Sequence, residues 1–144
     1  MNRTHARQAL LAWLILAVSM FANGSLRVVV LQPRLGEHLA RQVATGSGVL
    51  IVFAFALVLV RRLEAPSEID LLKVGLLWLG LTLAFELGLG LATGASWEVM
   101  LEDYDVLEGR LWLLIPLSAL VAPWTWGASP FGPTPPRERR GSGG

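Results

Sequence analysis

Cysteine is absent from the chain, histidine occurs twice and tyrosine once, and Asp, Glu, Lys and Arg together make up only 16% of its 144 residues. Without cysteine there is no disulfide, no thiolate nucleophile and no thiolate-ligated metal, and redox chemistry says nothing about compartment. The two histidines, His5 and His38, fall in segments expected on opposite sides of a membrane, so no metal site is expected from them. Ser19, Ser47 and Ser118 have no base at a matching depth, which argues against a serine nucleophile. Formal charge is +1 and the basic residues lie in small clusters, so no nucleic-acid surface is expected. The glycines of G-L-G-L-A-T-G neither follow a strand nor open a phosphate-binding turn, and no cofactor is implied.

What the chain does have is apolar residues, 53% of the total, gathered in blocks rather than stripes. Four blocks, residues 9–31, 44–60, 74–92 and 107–126, reach or approach the roughly 20 residues that carry a helix across a bilayer. Arg3 and Arg7 ahead of the first block resemble the start of a secretory signal, but Met20 stands where a cleavage site wants a small residue and apolar character resumes at 28–31. The block is therefore read as a span. The expected fold is an all-α integral membrane protein, an antiparallel bundle of four transmembrane helices occupying residues 1–127.

Arg3, Arg7, Arg61, Arg62, Lys73, Arg137, Arg139 and Arg140 fall on one side of that threading, against Arg34, Arg41 and Arg110 on the other. Basic residues collect in the cytoplasm, so both termini are expected there, with the chain in the cell inner membrane. Pro33 is expected to follow the first span, Ser67 to cap the third with Glu68 and Asp70 in its first turn, Gly94 to close it, and Pro116 to kink the fourth. Trp97 and Trp112 would form an outer aromatic belt, and Trp124 and Trp126 an inner one.

Residues 35–43 read as a polar helical lead-in to the second span. Between the third and fourth, Trp97, Met100, Leu101, Tyr104 and Leu107 recur at helical spacing among acidic residues, which predicts a short amphipathic helix packed across the outer end. Such a helix would be too acidic for a lipid-bound one. The acids Glu98, Glu102 and Asp105 lack the glycine and alternation of a calcium loop and read as a solvated face. Residues 128–144, rich in Pro, Gly and Arg, read as a disordered tail.

Inside the spans, Gly80, Ala84 and Gly88, and again Ala40, Ala44 and Gly48, repeat every four residues as packing seams. Thr82, Glu86 and Gly90 share another face of the third span, and Ser19, Asn23 and Arg27 form a polar stripe on the first. An ionised glutamate in hydrocarbon costs about 3 kcal/mol or more, so Glu86 needs a proton or a cation. Arg27 and Glu86 are expected to meet at one depth, with Asn23 completing the hydrogen bonds, Arg110 as a second cation, and Glu102, Asp103 and Tyr104 in the outer cap. As a clasp this cluster would fix helix register. As a site it would handle a proton or cation.

The motifs A-N-G-S-L-R, F-E-L-G-L-G and D-Y-D-V-L-E-G-R-L-W, with a later A-P, resemble a family of small uncharacterised bacterial integral membrane proteins with four spans. The resemblance covers nearly all of the chain before the tail and implies architecture rather than activity. It would match Asn23, Gly24 and Arg27 to the first motif, Glu86, Gly88 and Gly90 to the second, and Asp103, Tyr104, Gly109, Arg110 and Trp112 to the third. Leu91 and Glu108 depart from it, standing where His and Arg are common. The leading expectation is a non-enzymatic accessory or structural protein whose partners are the lipid bilayer and either another membrane protein or further copies of itself. The rival is an oligomeric proton- or cation-linked transporter or channel using Glu86.

Overall fold

The structure, a computed structural model, describes residues 1, 3–64, 66–92, 94, 96, 98 and 111–130, with only the backbone of Trp112. Every element among them is helical. Helix α1, Arg3–Leu26, runs through a π-turn at Arg27–Leu31 into the short α2, Gln32–Leu35; α3 is Glu37–Arg62 and α4 is Glu68–Ala92. A 3-10 turn, Leu111–Leu113, leads into α5, Leu114–Gly127. Three helical stretches, Arg3–Leu35, Glu37–Arg62 and Glu68–Ala92, are long and apolar enough to cross a membrane. The expected amphipathic helix at 97–107 and the tail beyond Pro130 lie outside the described residues.

Local chemistry accounts for the boundaries. Pro33 does not end the first helix. Its ring would clash with the carbonyl four residues back, and in the π-turn just ahead of it the Gln32 N–H reaches instead to the carbonyl of Arg27, five residues back. The break comes at Gly36, whose φ of +79° is open to glycine and strained for other residues. Its N–H closes on the Gln32 carbonyl at 3.1 Å before the chain reverses. The lead-in to the second span is the first part of α3 itself, where Arg41 meets Glu37 at 2.8 Å.

At α4 the Asp70 N–H donates to Ser67 Oγ at 3.2 Å and the Ser67 N–H to Asp70 Oδ2 at 3.4 Å. This reciprocal cap satisfies donors that a helix start leaves orphaned. Gly94, with φ of +74°, bonds back to Leu91 just past the other end. Pro116 lies in the first turn of α5, where its missing N–H has no helical acceptor to lose; the interior proline is Pro123. His5, expected in an N-terminal tail, is part of α1, 5% exposed, with Nδ1 3.9 Å from Asp70 Oδ2.

The helices form a ring in the order α1, α3, α5, α4, in which α3 and α4, consecutive in the chain, stand across the diagonal. The core sits at the end where α1 and α4 begin and α3 and α5 finish. There Ala9, Trp13 and Leu16 meet Val52, Ala56, Leu59, Val74, Trp78, Ala119 and Ala122. Close approach is set by glycine: a Cβ on Gly75 would fall on the backbone carbonyl of Leu120. Gly48 is constrained less, by side-chain ends that can give way, with Ile115 Cδ1 2.8 Å from its would-be Cβ, and Ala40 and Ala44 of the same seam are buried. The other seam is turned away from the bundle. Gly80, Ala84 and Gly88 are exposed, and a Cβ at either glycine meets no atom within 4 Å.

Gly75→Ala therefore forces α4 and α5 apart and costs about 1–3 kcal/mol. Gly80→Ala removes a flexible helix position without a clash and leaves stability level or raised by up to about 1 kcal/mol. Thermal unfolding in detergent, followed by circular dichroism, reads both.

Candidate functional site

An indole N–H in an apolar interior needs an acceptor, and two tryptophans supply the frame of the site. Trp78 Nε1 donates to the Ala9 carbonyl at 2.9 Å, fully buried, and Trp13 Nε1 donates to Thr82 Oγ1 at 3.2 Å. Both bonds join residues 69 positions apart, so α1 and α4 run parallel in one register. Phe85 packs edge-on against Trp13, ring centres 6.3 Å apart, and carries that contact one turn further.

Beyond these bonds α1 and α4 enclose, with α3 and α5, a cavity of about 490 Å³ that both Arg27 and Glu86 line. They do not sit at one depth. In the 69-residue register Glu86 is level with Ala17, and Arg27 is ten residues further along α1, or about 15 Å at the helical rise of about 1.5 Å per residue. Among the described residues no ion pair joins them. Each is partly buried.

Asn23 leaves this pair altogether. Its Nδ2 donates to the Ala44 carbonyl of α3 at 2.8 Å, and its Oδ1 lies 2.8 Å from the hydroxyl of Ser47, which has the Ala44 carbonyl as a second acceptor at 3.0 Å. A carboxamide can give and take at once, so one side chain clasps two positions of the facing helix. Ser19, the lower member of the expected stripe, donates to its own helix at Ile15, 2.9 Å away. Arg110, Glu102, Asp103 and Tyr104 lie outside the described residues.

Other polar groups follow the same habit. Ser118 Oγ donates to the Leu114 carbonyl and Thr125 Oγ1 to that of Ala122. Trp126, expected at an interface, donates from Nε1 to the Phe53 carbonyl at 2.8 Å, with the two rings edge to face. Trp124, beside it, is half exposed. His38 lies 3.1 Å from Gln42 one turn on. Among the described residues no three His, Asp or Glu side chains gather where they could hold a metal. Trp13 and Trp78 were the residues that sequence reasoning passed over. Their signal was present, since each places an N–H donor in the middle of an apolar block.

Asn23→Ala and Ser47→Ala share one hydrogen bond, so their effects on detergent-state unfolding are non-additive, with a coupling of about 0.6–1.7 kcal/mol. Arg27→Gln and Glu86→Gln, separated along the bundle, add within about 0.5 kcal/mol. A double-mutant cycle on each pair checks this; strong coupling of the second pair would restore the one-depth clasp. No family model matches the chain, and neither a curated protein nor a solved structure matches it.

Proposed function

We propose that the chain is a four-span inner-membrane protein with cytoplasmic termini, of the kind its motifs resemble, that serves as a non-catalytic accessory or structural partner. One observation carries this reading: four polar side chains within the described apolar helices are spent on packing helix to helix. Trp78 on Ala9, Trp13 on Thr82, Trp126 on Phe53 and Asn23 on Ala44 each tie one helix to another. In hydrocarbon, where burial drives little helix association, such bonds and small-residue contacts hold a bundle. α5 is 14 residues long, and in the sequence the apolar block that begins at Leu107 is long enough for a fourth span. The loop charges support the orientation.

A second reading, a proton- or cation-linked transporter or channel built from several copies, is favoured by Glu86, which lines the cavity together with Thr82. Intramembrane carboxylates facing a cavity are typical of ion pathways.

The two readings part experimentally. An accessory protein copurifies in mild detergent with a companion at fixed stoichiometry and falls in abundance when that companion is deleted. A transporter purifies as a homo-oligomer and gives pH-dependent flux in proteoliposomes that Glu86→Gln abolishes. Flux lost in that variant would replace the first reading by the second.

A further inference from the structure

We propose that the cavity between α1 and α4 is a lipid site, holding one acyl chain of an anionic phospholipid with the phosphate on Arg27. Its walls are those of a chain-binding groove. Leu16, Met20 and Phe21 of α1, Phe85 and Leu89 of α4 and Ile115 of α5 line it. The volume, about 490 Å³, belongs to the range of small-molecule pockets, about 300–1,000 Å³. Along α1 the lining runs from Trp13 to Val29, about 24 Å at about 1.5 Å per residue. One leaflet of hydrocarbon is about 15 Å deep, half of the bilayer core. The distance from Arg27 down to the level of Ala17 is the same length, so a chain whose headgroup rests on Arg27 ends within the groove.

Charge supplies the head end. The Arg27 guanidinium has neither an ion pair nor a hydrogen-bond partner among the described residues, although it lies at the margin of an apolar span. A guanidinium in that setting pairs with an anion or reaches toward the headgroup level, and phosphate is the anion which its planar fork fits. Arg34, exposed on α2 seven residues on, adds a second cation toward the same end. Glu86 also lines the groove, ten residues below Arg27 in the 69-residue register. Arg27 at the mouth sets the direction of an anionic amphiphile, head at Arg27 and chain toward Trp13. The mouth is itself unusual, since Arg27, Val28 and Val29 are the start of the π-turn, a distortion that recurs at functional sites.

Gly24 gives a means of blocking the groove. It lines the cavity, and a Cβ there meets no atom within 4 Å, so Gly24→Leu starts in open space and adds bulk at the groove. The full chain in mild detergent is titrated with phosphatidylglycerol or with phosphatidylcholine of the same acyl chains, and bound lipid is counted by native mass spectrometry. Wild type takes up one phosphatidylglycerol at about fivefold lower concentration than phosphatidylcholine. Arg27→Gln keeps the chain site and loses the preference; Gly24→Leu lowers uptake of both lipids several-fold with an unchanged circular dichroism spectrum. Glycerophosphate, which has the head without the chain, does not compete. Equal uptake of the two lipids by wild type, a preference that survives Arg27→Gln, undiminished binding to folded Gly24→Leu, or competition by glycerophosphate would each overturn the proposal. If Gly24→Leu does not fold, the preference of wild type over Arg27→Gln decides it.

Discussion

The buried bond from the Trp78 indole to the Ala9 carbonyl is the constraint on which the arrangement turns. A backbone carbonyl inside a helix already has one acceptor role, and its second lone pair is available only to a donor that arrives at a fixed angle and height. Once Trp78 takes it, α4 cannot slide along α1 without leaving an indole N–H unsatisfied in an apolar interior, a loss of about 1–3 kcal/mol. Trp13 on Thr82 repeats the same offset one turn later. Two bonds in one register also fix rotation, and everything further along α1 and α4 inherits that alignment, including the separation of Arg27 from Glu86.

The bundle is accordingly built with two different ends. At the end of Ala9 and Trp78 the helices interlock, helped by Gly75, which lets the α5 backbone lie against α4. At the other end α1 diverges from α4 and the space between them remains as a groove, while Asn23 holds α1 to α3. The clasp of Asn23 and Ser47 thus compensates on one side for contact given up on the other. Tight packing and an open groove coexist because different helix pairs carry them.

Much of the fold was legible in the residues because the relevant physics is local. Of the four apolar blocks, three are membrane-length helices, Ser67 and Asp70 announced the start of α4, and Gly94 its end. Ala40, Ala44 and Gly48 were legible as a packing seam for the same reason. What could not be read was rotation and register between helices distant in the chain. Gly80, Ala84 and Gly88 have the spacing of a seam, yet rotation sets them outward, and Gly75, with no partner at that spacing, meets α5. Arg27 and Glu86 had complementary charge, but their relative depth depends on which carbonyl Trp78 selects. Pro33 had the signature of a helix end, and the answer lay in a π-turn that widens the backbone ahead of it.

The diagonal placement of α3 and α4 also bears on the order in which the protein can be made. These two helices leave the ribosome one after the other, joined by a few residues at 63–67, yet they have almost no surface in common. Each finds its main neighbour in α5, the last of the described helices to be synthesised. During translation α1 can pair with α3, and then with α4 through its tryptophans, while the flank for α5 stays vacant. Final closure is therefore a late event in biosynthesis, and a nascent chain halted before Leu111 exposes the glycine face of Gly75 to lipid or to whatever insertion factor attends it.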